Sequence, residues 1–463
     1  MELIPLIIYL ILLFYIGFKA RRRGAGQDEF LLGSRSLSLP AFIATLVSTW
    51  YGGILGVGEF VYTRGLSAWF VLGLPYYLFA LLFAWILAPR IRSAENYSIP
   101  DMLYRVYDRS TGLLGSLFIM IMTSPAPYIL MIGILIQHLF PISFFYSILL
   151  GTLFSVGYVF WGGFRSVVQT DIIQFALMFL GFMVLFLYLT EYAFPLTELS
   201  PRLSAGHKSI SGGLHQQQWV VWFLIASWTF IDPGFHQRCA AARTPGIARK
   251  GIILSVAFWF VFDMLTLTTG LYAVVLLPDI DPLMAYPLLA EEVLPPLLKG
   301  LFLTGLLATI MSTVDSFTFL SAQTFGHDLV WRLLRQREKR SVTTLVRWGL
   351  MITAVLSIAL IMYMPSVIKL WYHLGSLFIP PLLIPLLAAY FPGWRIPAKA
   401  TFSVMLLSFL TALSFYVWGE FHLLDGQAQY PLNLEPFFPG LFVSIIGYAL
   451  AKLMVKGQGN KDG

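Results

Sequence analysis

The chain has 463 residues, of which 58% are hydrophobic, 16% aromatic and 11% charged, and its formal net charge is +7. Soluble domains carry about 25% charged residues, so a chain this long and this poor in charge cannot cover a water-facing surface. The basic residues fall between apolar runs, which ties the charge to membrane topology and not to nucleic acid; the single cysteine, Cys239, excludes an internal disulfide, and zinc and iron–sulfur patterns are missing.

The apolar runs are each roughly 20 residues or longer, enough to cross a bilayer as helices, and they predict about thirteen spans. Numbered from zero, span 0 covers about 2–18; its positive residues follow the apolar run, so it reads as an uncleaved first span with its N-terminus outside. Span 1 covers about 40–64 and holds Trp50-Tyr51-Gly52-Gly53 in its middle. Glycine is permissive there and predicts a break, although it equally allows close helix packing. Spans 2 to 5 cover about 68–89, 112–138, 142–161 and 166–190, followed by a polar outer loop to about 216. Span 6, about 217–235, contains Asp232-Pro233-Gly234, a second predicted break. Spans 7 to 12 cover about 250–277, 297–323, 344–364, 366–391, 398–418 and 434–454, with a short tail at 455–463.

Alternate connections carry the basic residues: Arg21-Arg22-Arg23, then Arg90, Arg92, Arg105 and Arg109, then Arg238, Arg243, Arg249 and Lys250, then Arg332, Arg335, Arg337, Lys339 and Arg340. The positive-inside rule then places the C-terminus in the cytoplasm, as for a multi-pass protein of a bacterial-type inner (plasma) membrane. Interrupted spans five apart are what an inverted repeat requires, with 40–190 as the first repeat, 217–391 as the second and 398–454 as two trailing spans. The whole chain reads as one all-α membrane domain.

Five acids lie within or at the ends of apolar spans: Glu59, Asp171, Asp232, Asp263 and Asp315. A charge at the bilayer centre costs at least ~2.5 kcal/mol, so each is a functional candidate. Asp171 has Thr170 and Gln174 as helical neighbours, and Asp315 follows Met311-Ser312-Thr313-Val314 and precedes Ser316. Hydroxyls beside carboxylates suit a hard monovalent cation. The plainer expectations are that Glu59 pairs with Arg64, that Asp232 caps the break or pairs with Arg238, and that Asp263 bonds a neighbouring threonine.

These residues resemble the sodium:solute symporter family. The similar stretches, in order, are Asp28-Glu29-Phe30-Leu31-Leu32-Gly33-Ser34-Arg35, Gly56-x-Gly58-x-x-x-Tyr62-x-x-Gly65-Leu66, and Gly162-Gly163-Phe164-Arg165 with Thr170-Asp171-x-x-Gln174. Asp232-Pro233 with Gln237-Arg238 and Ala240-Ala241, and Met311-Ser312-Thr313-x-Asp315-Ser316, complete the set. The resemblance implies a LeuT-like 5+5 inverted repeat of spans 1–10 with one leading and two trailing helices. It implies a sodium-coupled symporter importing a small organic solute by alternating access, with Na+ as coupling ion, no organic cofactor and no enzymatic activity. It further implies a main sodium site of the Leu46, Thr49 and Thr309 carbonyls with the Ser312 and Thr313 hydroxyls. A second sodium site would involve Asp171, Asp315 and Ser316.

By position, the solute pocket is expected between Ser48, Trp50 and Tyr51 of span 1 and Trp228, Thr229 and Asp232 of span 6. Half-helix N-termini there favour an anionic group. Lys369 and His373 of span 10 stand one turn apart as outer candidates. The expected surroundings are lipid, a small solute and no nucleic acid, with the monomer as functional unit. The alternative is a transporter-like membrane sensor; the chain ends soon after span 12, so that sensor would lack an output domain of its own.

Overall fold

The structure, a computed structural model, describes residues 1–19, 26–334, 339–424 and 427–459. Arg21-Arg22-Arg23, Arg335 and Arg337 of the topology reading lie outside those residues.

Ten helices among the described residues are long and apolar enough to cross a membrane. The count of about thirteen expected from apolar run length differs at spans 0, 4 and 6. Spans 0 and 4 appear as shorter apolar helices, Leu3–Ile16 and Phe144–Gly157. Span 6 is split into Gln216–Ile225, Trp228–Ile231 and Pro233–Ala241. The cause of that split is local. Pro233 has no N–H to continue the ladder, and Asp232, in extended backbone, caps the new helix by accepting from the Phe235 N–H at 2.9 Å.

Span 1 divides likewise into Leu39–Trp50 and Ile54–Arg64 around a tight turn, Tyr51–Gly53. The break is a single 3-10 turn rather than a long unwound stretch: Tyr51 has φ −90° and ψ 13°, Gly53 φ −80° and ψ 21°. Spans 4 and 5 run together as Phe144–Tyr188 and turn at Gly163, with φ 59° and ψ −155°. That backbone is open essentially to glycine alone, and a Cβ there would lie 2.7 Å from the Phe30 carbonyl oxygen.

Burial sorts the spans into layers. In spans 1 and 8 (Pro296–Gln323), 78% of the apolar window is buried; in span 11 (Ala398–Phe421) the figure is 28% and in span 12 only 17%. Spans 1 and 8 are therefore the centre and the trailing pair the rim, where Phe442, Ile445 and Leu450 point outward as lipid-facing residues do. Span 8 lies along spans 4 and 5 and against the turn of span 1, with span 0 (Leu3–Lys19) wedged beside spans 5 and 8.

The two broken spans are stitched together at one end. Leu37 N donates to Ala241 O at 3.0 Å and Arg243 N to Leu37 O at 3.1 Å. Arg92 Nε donates to Ala242 O at 2.6 Å, and Gln237 Nε2 to Gln323 Oε1 at 3.0 Å. At the opposite end, Leu66 N donates to His207 O at 2.8 Å, so the 191–216 connection lies across the end of span 1.

Candidate functional site

Span 8 reaches the turn of span 1 because Gly52 has no side chain. A Cβ at Gly52 would stand 2.0 Å from Thr313 Oγ1, which no packing adjustment of a backbone-anchored threonine accommodates. With hydrogen in that place, Thr313 Oγ1 donates to Thr49 O at 2.6 Å. One turn of hydroxyls continues the contact: Ser312 Oγ donates to Asp171 Oδ1 at 2.6 Å and stands 2.9 Å from Ser48 Oγ. Thr49 Oγ1 lies 3.5 Å from Ser312 Oγ and 3.1 Å from Ser316 Oγ. Leu46 and Thr309 are buried at the same level, and the Thr309 hydroxyl is bonded back to Gly305 O at 2.7 Å.

Arg238 enters this cluster from span 6. Its Nη2 donates to Ser316 Oγ at 2.7 Å, Thr49 Oγ1 at 2.9 Å and Thr45 Oγ1 at 3.2 Å, and lies 3.7 Å from Asp171 Oδ2. Thr45 also donates to Asp171. Both charged groups are fully buried, where an unpaired charge is costly, so the pair and its hydroxyls act as one unit, with the Arg238 Nε as its one unpartnered guanidinium donor among the described residues. The sequence reading offered Asp232 as the partner of Arg238; the closer carboxylate is Asp171. Asp171 and Ser316 thus share one cluster, whereas Asp315 is bonded by Ser155 of span 4.

Beside the cluster lies a cavity of about 1250 Å³, counting its open mouth. Trp50, Tyr51, Trp228 and Asp232 line it, with Leu46 and Thr49 on the side of the hydroxyl cluster. Ser48 and Thr229 are not on its wall; their hydroxyls bond back to Ala44 O at 2.8 Å and Ala226 O at 2.9 Å. Sequence reasoning missed Trp69, Tyr76, Tyr128 and Trp371 on the wall, and it read Asp263 as structural. Asp263 instead faces the cavity and takes hydrogen bonds from Tyr51 Oη (2.8 Å) and from Tyr77. Lys369 and His373 are not on the wall; the His373 ring packs against Tyr416 at 4.7 Å between centroids.

A broken first span whose carbonyl meets a Ser-Thr pair on the eighth is the arrangement expected of a cation-coupled carrier, and the sodium:solute symporter family model matches residues 30–407. The chain belongs to the sodium:solute symporter family. It is a sodium-coupled solute symporter, which sets aside the sensor alternative, and Na+ is its coupling ion. Among curated members, the chain is 27% identical to a sodium/pantothenate symporter of Haemophilus influenzae, over 77% of this chain and 79% of that one. It is 24% identical to a sodium/proline symporter of Staphylococcus aureus, over 98% and 93%. Among solved structures, a Na+-coupled sialic acid symporter in a substrate-bound outward-open state superposes with a TM-score of 0.81 at 15% identity, covering 98% of this chain and 97% of that one. A nucleobase-cation-symport-1 family transporter gives 0.57 at 13%, covering 95% and 96%. These likenesses establish the fold as LeuT-like, in keeping with breaks in spans 1 and 6.

Proposed function

We propose that this symporter imports a small organic solute by alternating access, with one sodium ion held between the turn of span 1 and span 8. The ligands are the carbonyls of Leu46, Thr49 and Thr309 and the hydroxyls of Ser312 and Thr313. What supports this reading above all is the 2.6 Å contact of Thr313 Oγ1 with Thr49 O, which brings two of those oxygens together at the break. An oxygen-only donor set suits a hard cation of single charge. Asp171, Asp315 and Ser316 are the candidates for a second ion; of these, Asp171 and Ser316 already share the Arg238 guanidinium.

The solute site is the cavity walled by Trp50, Tyr51, Trp228 and Asp232, with Ser48 and Thr229 behind the wall. Tyr51 belongs both to the cavity and to the turn that follows the helix carrying the Leu46 and Thr49 carbonyls. A cation that orders the turn therefore orders the cavity, and the coupling must be reciprocal: solute tightens sodium by the factor by which sodium tightens solute. With the N-terminus outside, sodium enters down both its gradient and the membrane potential, which contributes about 2.3 kcal/mol per charge per 100 mV. We take the monomer, in a bacterial-type inner membrane, as the working unit.

The test uses full-length protein in liposomes. Sodium is expected to change the intrinsic tryptophan signal saturably, because Trp50 adjoins the turn, and potassium at equal ionic strength is not. An inward sodium gradient is then expected to concentrate a compound from a panel of amino acids, sugars, carboxylates and amines. A fluorescence change that potassium reproduces in full rules the sodium site out.

A further inference from the structure

We propose that the solute carried in this cavity is a small organic cation, an ammonium or quaternary ammonium compound, held by Asp232 and Asp263 inside a box of aromatic rings. This rests on the cavity being the solute site of the symporter, as argued above, and it names the chemistry of that solute.

The charged side chains on the wall are Asp232, Asp263 and Arg238. The Nη2 of Arg238 is already engaged with Asp171 and three hydroxyls, which leaves its Nε as the unpartnered donor of that guanidinium. Neither Asp232 nor Asp263 has a basic group within 4.0 Å among the described residues. The wall therefore presents two carboxylates: Asp263 with no basic partner, and Asp232 with only the longer-range charge of an Arg238 already shared with Asp171. Around them stand Trp50, Trp69, Tyr76, Tyr128, Trp228 and Trp371. Aromatic faces carry negative potential and attract a cation, most strongly where water is excluded. A carboxylate beside several such faces is a site for positive charge with an apolar coat.

The two other solute classes fit less well. The N-terminus of the half-helix Pro233–Ala241 would favour an anion, but the Asp232 carboxylate already occupies it through the Phe235 N–H at 2.9 Å. An incoming carboxylate would meet that charge and Asp263 together. A sugar needs many donors and acceptors, whereas this wall is mainly apolar and aromatic side chains.

The hydrogen bonds around Asp263 also have room for a donor. Tyr51 has one hydroxyl proton and faces two acceptors, Asp263 Oδ1 at 2.8 Å and Trp259 O at 2.9 Å. When an ammonium N–H, or the polarised C–H of a quaternary ammonium, arrives at Oδ1, Tyr51 turns its proton wholly to Trp259 O and no bond is lost. Tyr51 lies in the turn of span 1, so the solute's charge is felt two residues from the Thr49 carbonyl.

The experiment measures binding to the full-length protein in liposomes, by tryptophan fluorescence and by sodium-driven uptake. The probes are choline, phenyltrimethylammonium and benzylamine; the controls are 3,3-dimethylbutan-1-ol, benzyl alcohol and phenylacetate. At least one cation is expected to bind tenfold or more tightly than its uncharged counterpart, with phenylacetate not binding. Asp232→Asn and Asp263→Asn are each expected to weaken that cation roughly ten- to a hundredfold, the range for losing a charge-assisted contact. The sodium response of each variant is recorded beside its cation binding as the check that the variant is folded. Asn still caps Phe235, so Asp232→Asn carries the test should Asp263→Asn fail to fold. Cations that bind no better than their neutral counterparts, or Asn variants that bind them as the parent does, overturn the cation assignment while a persisting sodium response leaves symport intact. Cation binding that stands without any sodium response supports the assignment and strikes the proposed sodium site instead.

Discussion

Replacing Ser312 and Thr313 together with alanine is expected to abolish sodium-driven uptake, and each single replacement to raise the half-saturating sodium concentration roughly ten- to a hundredfold. An oxygen ligand to a charged group contributes about 1.5–3 kcal/mol, and the low-dielectric interior offers no water to replace it at once. Thr313 has the stronger geometric case, since its oxygen already touches Thr49 O. Thr313→Ser is expected to retain most of the affinity, because it keeps the hydroxyl and loses only a methyl group. The measurement is a sodium titration of the tryptophan signal and of uptake. Parental sodium dependence in both single variants rejects the assignment of these hydroxyls.

The second large effect concerns stability. Asp171→Ala is expected to cost about 3–5 kcal/mol by leaving the Arg238 guanidinium buried without its carboxylate. Both side chains have no solvent exposure and lie 3.7 Å apart, so water cannot easily take the carboxylate's place. Asp171→Ala combined with Arg238→Met removes the stranded charge and is expected to recover much of the loss. Thermal unfolding of the detergent-solubilised protein reads both. A transition midpoint in Asp171→Ala equal to the parent's contradicts the pairing.

The breaks were legible because their causes are local. Pro233 ends a helix wherever it stands, and Asp232 before it caps the next one. Gly52 was legible as a weak point of span 1, but its closest neighbour, Thr313, was not visible as such. The Ser312-Thr313 pair became legible through resemblance to a family, not through periodicity. What failed to show was pairing between helices. Arg238 sits six residues from Asp232 in sequence, yet its nearest carboxylate is Asp171 of span 5. Asp263 was expected to bond a neighbouring threonine; Thr266 Oγ1 does donate to its main-chain carbonyl at 3.2 Å, but its carboxylate meets Tyr51 and Tyr77 from two other spans. Glu59 was expected to pair with Arg64, but the Arg64 guanidinium donates to Gly212 O at 3.0 Å. Which face of a span meets which neighbour depends on tilt and rotation, and an apolar run with aromatics on every face does not encode either. The same ambiguity hid Tyr128 and Trp371.

The backbone stitch between Leu37 and the Ala241–Arg243 stretch bears on how the carrier turns over. Its two main-chain bonds, 3.0 and 3.1 Å long, join segments that flank different repeats, so any passage through that end requires them to part in concert. Water can satisfy the exposed amides once they separate, which limits the toll to about 0.5–1.5 kcal/mol for each bond. A barrier assembled from such small pieces leaves the sealed and unsealed shapes close in energy, and the loaded ion and cargo then decide which prevails. Amide hydrogen exchange at Leu37 and Arg243 reports that balance directly: it should slow with sodium alone and quicken when cargo joins it, and an exchange rate indifferent to both would locate the moving seam elsewhere.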